Sequence, residues 1–279
     1  TGGWRIAQRS SPYGLVSHRP PSSVDWTSVF FEDNCSQFQC RPHCGHSDTS
    51  IMINGNTELI AHIGYPTHSF KAPMIYNPYF SHIGVNAKVV PMGCKPEDYP
   101  DFLRNVFKLT NIRGALITMP HKVVTVGLLD ESTPTVQIAG ACNAVRVSAD
   151  GRLQGDLFDG EGFVRGLLRK GCELKAARAL VVGAGGVGSA IAASLAAAGV
   201  GAVGLYDARA ESAEGLGQRL KQHYPAIEVR TGSNDPAGYS VVVNATPMGM
   251  NPGDPLPMDV SRISPEAFVG EVVMKQEMT

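Results

Sequence analysis

Neither sign of charge dominates this chain: 24 Lys and Arg stand against 25 Asp and Glu in 279 residues, a net charge of −1. It therefore carries no field built for nucleic acid or an anionic membrane surface. It also lacks any run of about eighteen strongly apolar residues, so no membrane-spanning helix is expected. The longest weakly apolar stretch, 190–206, is rich in alanine and glycine and reads as a helix followed by a strand. Tryptophan is confined to Trp4 and Trp26, and cysteine beyond residue 51 to Cys94, Cys142 and Cys172, each alone. Scattered single cysteines suit a reducing compartment and argue against a disulfide framework. None is needed, because with 43% hydrophobic residues the length allows two ordinary domains with ample core. No internal repeat at a fixed period is visible. The expectation is a soluble, cytoplasmic-type protein.

Residues 1–51 differ from the rest. They hold both tryptophans, three of the six cysteines and a Pro/Ser-rich stretch at 10–23, without hydrophobic periodicity. Arg5, Arg9 and Arg19 precede the first acid, Asp25, as in a transit peptide, but no signal-type apolar core exists. Cys35, Cys40, His43, Cys44 and His46 offer zinc-type ligands in a spacing that fits no recurrent zinc frame, so no metal is expected. Residues 1–56 read as a disordered or non-native leader, with Met52 as a natural start.

Beyond it the pattern is regular. Strands are expected at 59–63, 87–91 and 114–119, and helices at 73–83, 99–109 and 123–129, with Pro73 in the first turn of its helix. A hairpin follows over 143–148 and 153–155 across Asp150-Gly151, then a helix at 160–169. Alternating strands and helices argue for α/β units in both halves.

The second half opens on Ala179-Leu-Val-Val182, a short apolar strand, followed by Gly183-Ala-Gly-Gly-Val-Gly188 and an alanine-rich helix. Strand, GxGxxG turn and helix together start a dinucleotide-binding unit. Gly183 permits the tight turn, Gly185 lets backbone approach a pyrophosphate, and Gly188 allows close packing. Val203-Gly-Leu-Tyr-Asp207 is a second strand ending in an acid about twenty residues on. Asp207 there accepts from ribose hydroxyls and repels a 2′-phosphate, which favours NAD; Arg209, two residues later, keeps NADP possible. Asp207 also reads as a turn residue or as the N-cap of a helix over 210–220.

Chemistry is suggested by Thr118-Met-Pro-His-Lys122 at a strand end, by Asn143 after Ala139-Gly-Ala-Cys142, and by Asp159 in Gly155-Asp-Leu-Phe-Asp-Gly160. A lysine beside a carboxylate next to nicotinamide suits alcohol oxidation: one group takes the hydroxyl proton and the other orients the substrate. Taken singly, Lys122 also reads as a surface lysine, Asp159 as a helix cap and Asn143 as a loop brace.

Taken in order, these motifs, with Gly64-Tyr-Pro66, Pro73 and Asn244-Ala-Thr-Pro-Met-Gly249, resemble the shikimate dehydrogenase family over about residues 57–279. The resemblance implies an α/β fold: an N-terminal α/β substrate-binding domain at 57–158, then a Rossmann NAD(P)-binding domain at 159–279. It implies reversible NAD(P)-linked oxidation of shikimate to 3-dehydroshikimate, or of quinate in some branches. Lys122 and Asp159 resemble the catalytic pair, and Thr118 and Asn143 the contacts to substrate hydroxyls. Gly183, Gly185, Gly186, Val187, Gly188, Asp207 and Arg209 are implied cofactor contacts, with Asn244, Ala245 and Thr246 as a wall near the nicotinamide ribose.

The chain departs from the family at the end that holds the substrate carboxylate. Two serines there align with Phe70 and Ala72, leaving Ser69 and Lys71 nearby as substitutes. An asparagine usual before the lysine is Leu116, and a C-terminal tyrosine and proline are replaced by Val273-Met274-Lys275-Gln276. The family's final helices, one contributing a glutamine, are expected to be missing at Thr279. The implied substrate is therefore shikimate or a related cyclic polyol acid, bound by a monomer or homodimer. The rivals are a quinate or aminoshikimate dehydrogenase of the same fold and a non-catalytic nucleotide-binding regulatory module.

Overall fold

The computed structural model describes residues 52–273. The readings of 1–51, including the zinc-type set and the transit-like arginines, lie outside the described residues, as do Met274, Lys275 and Gln276.

The first half is built on strand β1 (Glu58–Gly64), whose Ala61 and Ile63 are buried on one face. Helix α1 (Ala72–His82) follows, with proline near its first turn where a missing amide costs nothing. Then come β2 (Ala87–Gly93), α2 (Tyr99–Val106), β3 (Ile112–Ile117) and α3 (Lys122–Val126). The last is a single turn, shorter than the 123–129 expected. The β-branched run Val123-Val-Thr-Val126 has poor helix propensity, and Gly127 ends it.

Strand β4 (Glu131–Ser132) and helix α4 (Pro134–Ala139) were not among the sequence expectations. Yet α4 carries ordinary helix signals. Its Thr133 N-cap hydroxyl accepts from the Val136 amide, Pro134 opens it, and Gly140 closes it at φ 66°. Strands β5 (Ala144–Val147) and β6 (Leu153–Asp156) form the hairpin. The six-stranded sheet runs β2-β1-β3-β5-β6-β4, with β2, β1 and β3 parallel and β5 antiparallel to both neighbours.

Helix α5 (Asp159–Arg169) leads into β7 (Arg178–Val182), α6 (Gly186–Ala197), β8 (Ala202–Tyr206), α7 (Ala210–His223) and β9 (Glu228–Thr231). Strands β10 (Val241–Asn244) and β11 (Phe268–Glu271) complete an all-parallel sheet in the order β11-β10-β7-β8-β9. Strand β10 is buried throughout and therefore reads as an unbroken apolar run, Val-Val-Val, rather than an alternation.

The two halves interlock. Ile138 of α4 lies in the second core beside Val164, Ile191 and Leu195, while Ala190 of α6 lies in the first beside Ala141 and Leu157. Arg219 of α7 also reaches across, its Nε donating to the Ile138 carbonyl at 2.6 Å. Helices of the two halves thereby share their cores, and in open α/β sheets ligands bind outside the carboxyl ends of the strands.

Candidate active site

The turn from β3 into α3 is set by a buried knot. The His121 ring is 1% exposed, lies parallel to the Tyr99 ring at 3.9 Å, and bonds the Cys94 carbonyl through Nε2 at 2.8 Å. The Tyr99 hydroxyl pairs with Thr125 Oγ1 at 2.7 Å, and Thr125 in turn donates to the His121 carbonyl. Burial raises the Tyr99 pKa, so the phenol stays neutral. This packing fixes the first residue of α3, which is Lys122.

Lys122 Nζ donates to Asp159 Oδ2 at 2.5 Å, and Asn143 Nδ2 donates to Asp159 Oδ1 at 2.9 Å. Asn143 Oδ1 accepts from the Phe158 amide at 3.0 Å, which fixes the direction of its amide. Its backbone joins both neighbours, its N–H donating to the Asp156 carbonyl and its carbonyl accepting from the Ile117 amide. Residues far apart in sequence thus meet as a lysine, a carboxylate and an oriented amide. The lysine and carboxylate side chains remain 29% and 32% exposed, so a ligand can reach them.

Thr118 lies at the end of β3, its amide bonded to the Ile63 carbonyl and its hydroxyl without a partner among the described residues. Ser69 and Lys71 are exposed on the connection between β1 and α1, and neither side chain bonds to the lysine, carboxylate and amide. The sequence reading passed over His62. It is the single polar side chain in Leu59-Ile-Ala-His-Ile63, is 7% exposed, and has its ring centroid 4.2 Å from that of Phe70. A buried histidine inside an apolar strand was the signal that marked it.

The glycine turn lies at the carboxyl end of β7. Gly183 has φ 105°, and a Cβ there would stand 2.6 Å from the Ala245 carbonyl, so backbone meets backbone. A Cβ on Gly188 would fall 1.8 Å from the Gly183 oxygen. At Gly185 and Gly186, by contrast, an added Cβ meets nothing within 4 Å. The N-terminus of α6 has no side-chain cap there, and Val187 is 43% exposed beside it. Open backbone at an uncapped helix start fits a dinucleotide pyrophosphate.

Asp207 serves the turn itself. Its Oδ2 accepts from the Ala184 amide at 2.8 Å and its Oδ1 from the Arg209 amide at 2.9 Å. The Arg209 side chain is 77% exposed, with Nε 3.9 Å from the carboxylate. Asn244 is wholly engaged inside the protein. Its amide donates to the Met248 carbonyl and to Glu271, and its oxygen accepts from the Thr246 amide and hydroxyl. It therefore braces the loop that packs Ala245 and Thr246 against Gly183. Among the described residues no group of three His, Cys, Asp or Glu could hold a metal ion, and no helix is long and apolar enough to cross a membrane. The thiols of Cys94, Cys142 and Cys172 are free and buried.

One contact joins the two centres. A Cβ on Gly160 would lie 2.0 Å from the Ala190 carbonyl, so α5 and α6 touch backbone to backbone immediately after Asp159. Ala190 is the fifth residue of α6, and the rise of about 1.5 Å per residue puts this contact about 6 Å along the axis from Gly186.

Comparison with known proteins bears on the fold and the family. The model for the shikimate dehydrogenase substrate binding domain matches residues 62–145, and that for the ThiF family matches 168–210. The shikimate dehydrogenase (NADP(+)) of Rubrobacter xylanophilus is 35% identical over 226 residues, 80% of this chain and 79% of the relative. A shikimate 5-dehydrogenase from Listeria monocytogenes, solved with shikimate and NAD, superposes with a TM-score of 0.73 at 27% identity, covering 80% of this chain and 81% of that one. Quinate dehydrogenase from Corynebacterium glutamicum, in complex with NAD, gives 0.68 at 28% identity over 78% and 80% of the two chains. With one fold across both halves and such identity over most of both sequences, the chain belongs to the shikimate dehydrogenase family.

Proposed function

We propose that this chain is an NAD(P)-dependent oxidoreductase that interconverts a ring hydroxyl and a ketone on shikimate or a related cyclic polyol acid. The observation that carries the reading is the Lys122–Asp159–Asn143 constellation, tied through Gly160 to the helix that begins at the glycine turn. The relatives named for shikimate and quinate support it, and those named for or holding NADP(+) and NAD support a nicotinamide cofactor.

When bound, the dinucleotide supplies hydride acceptance and return. Gly183, Gly185, Gly186, Val187 and Gly188 would hold its pyrophosphate, and Ala245 and Thr246, braced by Asn244, would border it. The chain's own task is the proton. In oxidation the reacting hydroxyl gives its proton to the Lys122–Asp159 pair, and in reduction the pair returns it to the forming alcohol. Asn143 holds one carboxylate oxygen, which leaves the other to orient Lys122. Thr118 offers a free hydroxyl to the substrate, and Ser69 and Lys71 offer a donor and a charge at its acidic end.

Between the two nicotinamide cofactors we infer a preference for NAD. Asp207 is fixed by two backbone amides, and a carboxylate has about four acceptor sites, so capacity remains for ribose hydroxyls. The same fixed charge opposes a 2′-phosphate, for which exposed Arg209 is the available cation.

The test is initial-rate reduction of NAD⁺ and NADP⁺ at alkaline pH with shikimate and quinate, on wild type and Lys122→Ala. Turnover by wild type, with kcat lower by orders of magnitude in the variant and nucleotide affinity little changed, is the expected result. Variant kcat within a few-fold of wild type removes lysine from the mechanism. Nucleotide binding without turnover on either acid favours the regulatory alternative.

A further inference from the structure

His62 is a polar group that the fold leaves unused. By register its ring stands between Pro91 of β2 and Leu116 of β3, neither of which offers a hydrogen-bond partner. Strand alternation puts it on the same face as Gly64, where Phe70 and Thr118 crowd the position a Cβ would take. Ala61 and Ile63 point to the opposite face, into the core around Tyr99 and Leu103. The ring is 7% exposed, stacked in tilted fashion on Phe70, and makes no hydrogen bond among the described residues.

The two ring nitrogens differ. Nδ1 is enclosed without a partner, whereas Nε2 is not enclosed. An enclosed N–H without an acceptor is worse than an enclosed lone pair, so this environment favours the tautomer with its proton on Nε2. Burial and then the Lys122 charge lower the pKa, which keeps the imidazole neutral. What His62 presents is therefore one N–H donor, near Lys122 and beside Phe70. The adjoining N-terminus of α1, an eleven-residue helix, has no side-chain cap, and its dipole favours negative charge there. A donor and an uncapped helix start on one side call for an acceptor oxygen carrying negative charge. The reacting hydroxyl belongs instead to Lys122 and Asp159.

We infer that His62 is a specificity-determining residue whose Nε2–H donates to the carboxylate of the bound polyol acid, between Phe70 and the start of α1. The inference rests on the polyol-acid reading given above.

The experiment compares wild type, His62→Val and His62→Gln with shikimate, quinate and the analogue of the better acid whose carboxylate is replaced by a hydroxymethyl group. In His62→Val, KM for the acid should rise roughly 10–100-fold, the range for one hydrogen bond to a charged group. Over the same change kcat and nucleotide affinity should hold within about threefold, and KM for the hydroxymethyl analogue should move much less. His62→Gln, which restores a donor, should recover most of the loss. An unchanged KM for the acid in His62→Val overturns the inference alone. So does an equal rise for acid and analogue without rescue by glutamine, which marks a structural role. Absence of wild-type turnover on either acid overturns the substrate reading and this inference with it.

Discussion

Gly160→Ala adds a single methyl group at the place where the two halves touch. It would stand 2.0 Å from the Ala190 carbonyl oxygen, 2.4 Å from its carbon and 2.6 Å from Ser194 Oγ. Ordinary contact begins at 3.4 Å, so α5 must move from α6 by about 1.4 Å, and two of the three obstacles are backbone that cannot rotate away. Overpacking of this kind costs about 1–3 kcal/mol, offset by up to about 1 kcal/mol from replacing a helical glycine. A net loss of about 2 kcal/mol lowers Tm by roughly 4–8 °C in a domain of this size. The kinetic effect should be larger. Asp159 adjoins the displaced residue, and a misplacement of about 1 Å at a reacting centre costs on the order of 100-fold in rate. The control is Gly162→Ala in the same helix, where an added Cβ meets nothing within 4 Å; it should be neutral or slightly stabilising. The assay is kcat with the preferred acid beside thermal unfolding of both variants. If Gly160→Ala matches Gly162→Ala in kcat and Tm, the contact between α5 and α6 does not position the site.

Three further outcomes follow from named groups. Asp207→Asn keeps an acceptor for the turn but removes the charge, so the KM for NADP⁺ relative to NAD⁺ should fall by about tenfold; an unchanged ratio separates Asp207 from cofactor choice. Burial pushes the Cys142 thiol up to about 12, so iodoacetamide at pH 8 should leave it unlabelled in the native protein and label it after denaturation, as read by peptide mass spectrometry. The His62 pKa is lowered below its ordinary 6.5, so the unfolded chain binds more protons as pH falls through that value. Stability should therefore hold above pH 6.5 and fall below it, by at most about 1.4 kcal/mol per pH unit, and His62→Leu should flatten that fall in pH-dependent denaturation.

The fold class was legible because its signals are local. The glycine turn needs a strand, a positive φ and a helix start within ten residues, and each has its own residue type from Ala179 to Gly188. Helix α4 was equally legible through Thr133, Pro134 and Gly140, yet its brevity hid it beside longer periodic segments. The run β10 was harder, since a strand buried on both faces loses its alternation.

The sequence by itself determined which chemistry was available: a lysine after a strand end, an acid before a helix, and glycines where phosphate approaches. Only tertiary structure decided which groups meet. Lys122, Asn143 and Asp159 span 37 positions and converge because the β5–β6 hairpin folds back beside β3. Asn244 has the residue type of a ligand contact but exhausts its hydrogen bonds on its own loop and on Glu271 of β11, and Asp207 gives its oxygens first to the turn. His62 shows the reverse: an ordinary strand residue in sequence, it becomes informative once the register surrounds it with groups that cannot bond it. The reason is physical. Residue type sets what a side chain can donate or accept, while packing sets whether that capacity is already used.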